Sequence, residues 1–235
     1  MTSKRLVLQV NVKPDIDETD GFIESKVGNR TFKFHDDLYN LSDQQAREYA
    51  VKTHSDYLQI TDCNYMPGYH PIWQRFKMFD LTAYDQILYL DMDVVVLPNA
   101  PDIFELYKDY EFSAVPNQQF DNPAPSIQEY LRKDQKRYNS SKNYYPFCSG
   151  VMLMRSDWLE KTKLIYEKYI PKFSKVWHDQ GVLNSCIIEQ GEKYNQLSHH
   201  WGQWNKNGDY FIHLSGWRKN DFDLQKFKTR YGITK

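Results

Sequence analysis

YDQILYLDMDVVVLPNAPDIFEL, residues 84–106, holds a continuous apolar run from Ile87 to Leu90 that ends in Asp91-Met92-Asp93, resumes from Val94 to Leu97 and stops at Pro98. An apolar run of this length with polar residues on both sides predicts a buried strand. In an extended chain residues i and i+2 point the same way, so Asp91 and Asp93 are expected on one side where the strand emerges. Two carboxylates there can share a hard divalent cation, and that edge is where open α/β sheets bind their ligands. A bare D-x-D also occurs in ordinary strand-to-loop turns, so the rest of the chain has to decide its meaning.

Outward from this strand, apolar runs alternate with helical patterns, the signature of an α/β fold with a mostly parallel sheet. Leu6 to Val12 reads as the first strand, and 13–37 as a polar loop or hairpin. Ser42 with Gln45 three residues on forms a capping-box pattern that predicts a helix through about Thr53. Tyr57 to Ile60 is a short strand, and Ile72, Phe76 and Phe79 recur at helical spacing over 72–82. Downstream, Phe112 to Val115 and Gly150 to Met154 read as strands on either side of a polar stretch, 118–146. Ser156 is placed to cap a helix ending at Pro171. Val182, Leu183, Cys186 and Ile187 mark the buried face of another helix stopped by Gly191, and Tyr210 to Leu214 is a last strand before a polar tail.

With 235 residues, no internal repeat and no low-complexity linker, one domain over 1–235 is the economical reading. Its two halves would span about 1–117 and about 118–235. A formal net charge of −1 gives no field that would draw nucleic acid or an acidic membrane. Cys63, Cys148 and Cys186 form no C-x-x-C pair and no disulfide framework, which implies a reducing compartment. The apolar stretch near the N-terminus has strand length, too short for a signal peptide or a membrane span, so a cytoplasmic location without an integral membrane segment is expected. The chain is rich in aromatic residues, which suits a sugar-binding cleft and suits an ordinary core better.

A strand followed by D-x-D-x-V also opens the active site of haloacid-dehalogenase-type phosphatases, where the first aspartate is a nucleophile. There the strand comes first in the core. Here it follows what reads as a full βαβ unit, and no adjacent acidic pair comes after a later apolar run.

Order across the chain points elsewhere. Trp73-Gln74-Arg75-Phe76 lies one helix before the D-x-D, FCSGVMLMRSDWL covers 147–159, Asp179-Gln180 sits within HDQGVLN, and His213-x-x-Gly216-x-x-Lys219 closes the series. Over roughly 40–220 the sequence resembles glycosyltransferase family 8 and its relatives with the GT-A fold. The stretch 84–106 follows that family's central pattern closely, Trp73–Phe76 is similar to its Tyr-Ala-Arg-Leu, 147–159 to its Phe-Asn-Ser-Gly-Val with a following helix, and the last two to its two C-terminal motifs. The resemblance implies a Rossmann-like, mixed, mostly parallel sheet flanked by helices. It implies transfer of a hexose or pentose from a nucleotide diphosphate sugar, a UDP-sugar above others, to an acceptor hydroxyl with retained configuration. Asp91, Asp93 and His213 would ligate Mn²⁺ or Mg²⁺. Lys219 would meet the diphosphate, Gly216 would let the backbone come close to it, and Arg75 would lie near the donor. Asp179 and Gln180 would face the sugar and the reaction centre.

Taken singly, His213 reads as a structural histidine, Lys219 as a surface lysine and Asp179 as a helix cap. Their order gives them the other reading, and the presence together of Asp91, Asp93, His213 and Lys219 argues against a silent nucleotide-sugar-binding protein of the same fold. Three positions depart from the pattern. Cys148 stands where the family has asparagine, Gly181 where it has a second aspartate, and Asn220-Asp221 where it has Pro-Trp. Residues 10–15, VNVKPD, lack the usual acidic nucleotide-binding signature. His70-Pro71-Ile72-Trp73 also compares with related galactosyl- and xylosyltransferases. The acceptor, whether glycan, protein or lipid, is not specified; 118–146 and His199-His200-Trp201-Gly202-Gln203-Trp204 are the candidates for its cleft.

Overall fold

The computed structural model describes residues 3–12, 36–69, 71–116, 147–173, 179–191, 194–202, 209–214 and 222–234. The polar stretch 118–146, most of the 13–37 segment, and Gly216 and Lys219 lie outside them.

In chain order come β1 (Arg5–Val10), α1 (Asp36–Lys52), β2 (Asp56–Ile60), a 3₁₀ segment (Pro71–Asp80), β3 (Gln86–Asp91), β4 (Val94–Val96) and α2 (Ile103–Leu106). Then follow β5 (Phe112–Pro116), β6 (Phe147–Arg155), α3 (Ser156–Phe173), α4 (Asp179–Glu189), β7 (Asn195–Gln196), β8 (Phe211–His213) and α5 (Leu224–Tyr231). Six strands form one sheet in the order β2-β1-β3-β6-β5-β7, and β4 pairs with β8 in a second. β1 is parallel to β2 and β3, whereas β6 runs antiparallel between β3 and β5. The C-terminal ends of β1 and β3 therefore share an edge with the N-terminal end of β6. That edge carries Asp91, Cys148, Ser149 and Gly150.

β3 has apolar neighbours on both faces, which is why its sequence is a continuous apolar run rather than an alternating one. Ile87 and Tyr89 face the core layer under the 3₁₀ segment, α3 and α4, while Leu88 and Leu90 pack with α1 and Phe211. The predicted buried face of α4 is observed: Val182, Leu183, Cys186 and Ile187 are all buried, and Gly191 adopts φ +65° beyond the helix.

α2 and β7 were not expected from the sequence, and α1, the 3₁₀ segment, α3 and the polar tail differ from its reading. α1 begins at Asp36, more than a turn before Ser42. Asp36 and Asp37 in its first turn complement the helix dipole. Ser42 is thus not a cap. It is buried, its Oγ donates to Val94 O at 2.6 Å and accepts from Gln9 Nε2 at 2.9 Å, so it ties α1 to the chain just past the D-x-D. The 71–80 segment is a 3₁₀ helix, whose three-residue turn superposes i and i+3. Trp73, Phe76 and Phe79 consequently stack in a row, with centroids 5.3 and 6.0 Å apart, and Tyr166 of α3 stacks on Phe79 at 4.2 Å. α3 runs two residues past Pro171. The polar tail contains α5, capped by Asp223, which accepts from Lys226 N, and ended by Gly232 in the left-handed region. Its Phe227 and Tyr231 pack into a cluster with Leu38, Val95 and Ile212.

No helix among the described residues is long and apolar enough to cross a membrane.

Candidate metal and catalytic site

Asp91 ends β3, and the chain turns through Met92 and Asp93 before β4 begins. The extended geometry expected for the pair is therefore broken, yet the carboxylates still converge. The cause is the strand that returns beside them. β8 pairs antiparallel with β4 in a register that sets His213 opposite Val94, and Leu214 N donates to Asp93 O at 2.9 Å. One ligand atom from each of Asp91, Asp93 and His213 lies within 4.8 Å of the others. Nε2 of His213 is 3.2 Å from Asp93 Oδ1 and 3.9 Å from Asp91 Oδ2. This nitrogen is buried and makes no hydrogen bond of ordinary geometry. Two carboxylates and a buried imidazole nitrogen aimed between them form a donor set that fits a divalent cation.

Burial by itself would lower the basicity of His213. The Asp93 carboxylate and the Cys148 sulfur outweigh it and hold the imidazole well above its ordinary value. Asp91 is also raised: burial disfavours its charge, Arg75 opposes that, and Asp93 beside it adds to it. His213 and Asp91 are thus both held above their behaviour in water, the first by its anionic neighbours and the second chiefly by burial.

Gly150 forms the floor under the imidazole. A Cβ at this position would lie 2.3 Å from His213 Cε1 and 2.9 Å from both ring nitrogens. The glycine of the 147–159 stretch therefore allows a close approach by His213 from a different strand. Gly150→Ala should displace the ring and weaken divalent-cation binding at this cluster, probed with Mn²⁺, at least tenfold. Overpacking of this kind costs about 1–3 kcal/mol, so the fold should persist. Wild-type Mn²⁺ affinity in a folded Gly150→Ala protein would show that the ring does not need this space.

Arg75 reaches the same edge from the 3₁₀ segment and is almost completely buried. Its Nη2 donates to Asp91 Oδ1 at 2.8 Å, and its Nη1 meets Asp179 Oδ2 at 2.6 Å and Ser149 Oγ at 2.9 Å. Nε donates to Ile72 O at 3.2 Å, and the guanidinium lies over the Tyr89 ring at 4.8 Å. Tyr89 OH also donates to Asp91 Oδ1, at 2.8 Å. Burial opposes the charge on Arg75, but Asp179 and Asp91 on either side raise its pKa further above an already high value. One guanidinium thus joins the D-x-D strand to the first residue of α4.

The family model for glycosyl transferase family 8 matches residues 29–206, which include Arg75, the D-x-D and Asp179-Gln180. The chain belongs to glycosyltransferase family 8. Among solved structures it is similar to a glycosyltransferase involved in glycosylation of the major capsid of PBCV-1, at 12% identity over 98% of this chain and 100% of that one, with a TM-score of 0.53. The galactosyltransferase LgtC, solved with donor and acceptor sugar analogues, shares 14% identity over 98% of this chain and 97% of its own, with a TM-score of 0.51. Apo GlyE of Streptococcus pneumoniae TIGR4 shares 17% over 99% of this chain and 61% of its own, also at 0.51. No curated protein sequence matches the chain. At these identities the structural likeness is one of fold, the GT-A fold, and the family match makes the protein a glycosyltransferase rather than a phosphatase.

In this family 8 enzyme, the structure brings Asp91, Asp93, His213, Arg75 and Asp179 into one cluster. Gln180 follows Asp179 at the start of α4, and its carbonyl accepts from Asn184 Nδ2 at 2.8 Å. Gly216 and Lys219 fall outside the described residues. Tyr89 and Ser149 escaped the sequence reading although both touch the cluster. Their signal was position alone, one two residues before the D-x-D and the other between Cys148 and Gly150. Trp201, placed among the acceptor candidates, is buried against Tyr107, Tyr210 and Phe211, and its Nε1 donates to Tyr107 OH at 3.0 Å. It is part of the core.

Proposed function

We propose that this glycosyltransferase moves a hexose or pentose from a nucleotide diphosphate sugar, a UDP-sugar above others, to an acceptor hydroxyl, with Mn²⁺ or Mg²⁺ at Asp91, Asp93 and His213. The observation that carries this reading is the convergence of those three ligand atoms within 4.8 Å at the ligand-binding edge of the sheet. When bound there, such an ion would stabilise the charge that develops on a departing diphosphate. Lys219 would add a point charge on the same group and Gly216 a close backbone approach. That His213 from the last strand meets Asp91 from the third favours a single domain over two separable halves.

Asp179 gives one carboxylate oxygen to Arg75, which suits a positioning role better than that of a free general base. In this reading Gln180 stabilises an oxocarbenium-like sugar with its side-chain amide, and the anomeric configuration is retained. The test is proton NMR of a panel of α-linked nucleotide sugars incubated with the enzyme, Mn²⁺ and candidate acceptors. One donor should be consumed and the first-formed product should be α-linked. A β-linked product would require a base beside the acceptor hydroxyl and would recast Asp179 in that role. A panel left wholly intact would overturn the functional reading itself.

A further inference from the structure

Cys148 lies on β6 two residues before Gly150, and its Sγ is 3.8 Å from Nδ1 of His213. The other ring nitrogen, Nε2, faces Asp93 and Asp91. The thiol is not among the three groups whose ligand atoms converge, so it stands behind the imidazole rather than beside the carboxylates. A neutral imidazole carries one N–H and one bare nitrogen, and the partner of the N–H determines which nitrogen is left bare.

We propose that Cys148 is a positioning residue that selects the tautomer of His213 in which Nδ1–H donates to Sγ and Nε2 presents its lone pair to the cation. The proposal rests on the metal reading above. Three observations carry it. Nε2 is buried, makes no hydrogen bond of ordinary geometry and points between two carboxylates. The Cε1 edge of the ring lies where a Cβ of Gly150 would be, so the imidazole sits directly against β6. In this seating the position of the proton decides which nitrogen is bare, and Cys148 lies within hydrogen-bond reach of Nδ1.

A thiol suits both states of such a site, because it has one weak donor and a sulfur that accepts weakly. Without a cation, the charged imidazole donates Nε2–H to Asp93 and Nδ1–H to the sulfur. With a cation, the proton resides on Nδ1 and sulfur accepts it. The partner is kept throughout and the imidazole stays in place. Alanine at 148 would leave Nδ1 unsupported, whereas serine keeps a donor and an acceptor.

The test uses the full chain without donor. Mn²⁺ binding is followed by electron paramagnetic resonance for wild type, Cys148→Ala and Cys148→Ser, and the His213 tautomer is read by long-range ¹⁵N–¹H correlation in Mg²⁺-loaded wild type. The proposal predicts a proton on Nδ1 in the loaded protein. Loss of the partner should weaken Mn²⁺ binding about 10- to 100-fold in Cys148→Ala, the range for an outer-shell group, with most of it recovered in Cys148→Ser. Loaded wild type with the proton on Nε2, or Cys148→Ala with wild-type affinity, would overturn it, and the tautomer measurement stands even if the alanine variant does not fold. Wild type that binds no Mn²⁺ would overturn the metal reading as well, which separates the two failures.

Discussion

Asp93→Ala, and separately Asp91→Ala, should turn over the donor at least about 10²-fold more slowly than wild type at saturating Mn²⁺, the scale for losing one electrostatic contact to a transition state. The two variants should differ in stability. Asp93 stands beside His213, and with the carboxylate gone the imidazole can become neutral, so Asp93→Ala should melt close to wild type. Asp91 also holds Arg75 and Tyr89, so Asp91→Ala leaves a buried guanidinium with Asp179 as its remaining carboxylate and should melt lower. Initial rates of nucleoside diphosphate release, read with melting curves, separate the two effects. Turnover near wild type in either variant would remove the D-x-D from the mechanism.

Arg75→Met should produce the largest loss of stability. It removes a cation that is buried between two carboxylates, and breaking such a group by deleting one partner costs about 3–5 kcal/mol. For a chain of this size about 2–4 °C accompanies each kcal/mol, so the melting temperature should fall by roughly 6–20 °C. Arg75→Lys should recover little, because an ammonium cannot reproduce the fork that meets Asp91, Asp179 and Ser149 together. Adding Asp179→Asn to Arg75→Met should cost less than the sum of the single changes, since the amide removes the charge left unpaired. Strict additivity would mean that the 2.6 Å pair contributes nothing of its own.

The parts of this account that were legible in the sequence follow repeating patterns. The apolar run into Asp91 found β3, and the spacing of Val182, Leu183, Cys186 and Ile187 found the buried face of α4. Periodicity could not separate an α-helix from the 3₁₀ segment, because Trp73, Phe76 and Phe79 fit a three-residue turn as well as one face of a longer one. Ser42 looked like a cap because the local pattern is the same whether the hydroxyl bonds its own helix or a distant carbonyl. The partners of Arg75 come from β3 and α4, and no local pattern distinguishes an arginine that meets a ligand from one engaged by carboxylates. Gly150 was partly readable, since a glycine inside a strand signals close approach, but not which ring approaches it. Asp223 and Gly232 did mark the ends of α5, in a tail too polar to suggest a helix.

The most direct test of the central claim is nucleoside diphosphate release from nucleotide sugars by metal-stripped enzyme as Mn²⁺ is restored stepwise. The stripped protein should release none, wild type should recover with saturating dependence on Mn²⁺, and Asp93→Ala should not recover. Release at the wild-type rate from metal-free protein, unchanged by added Mn²⁺, would contradict it.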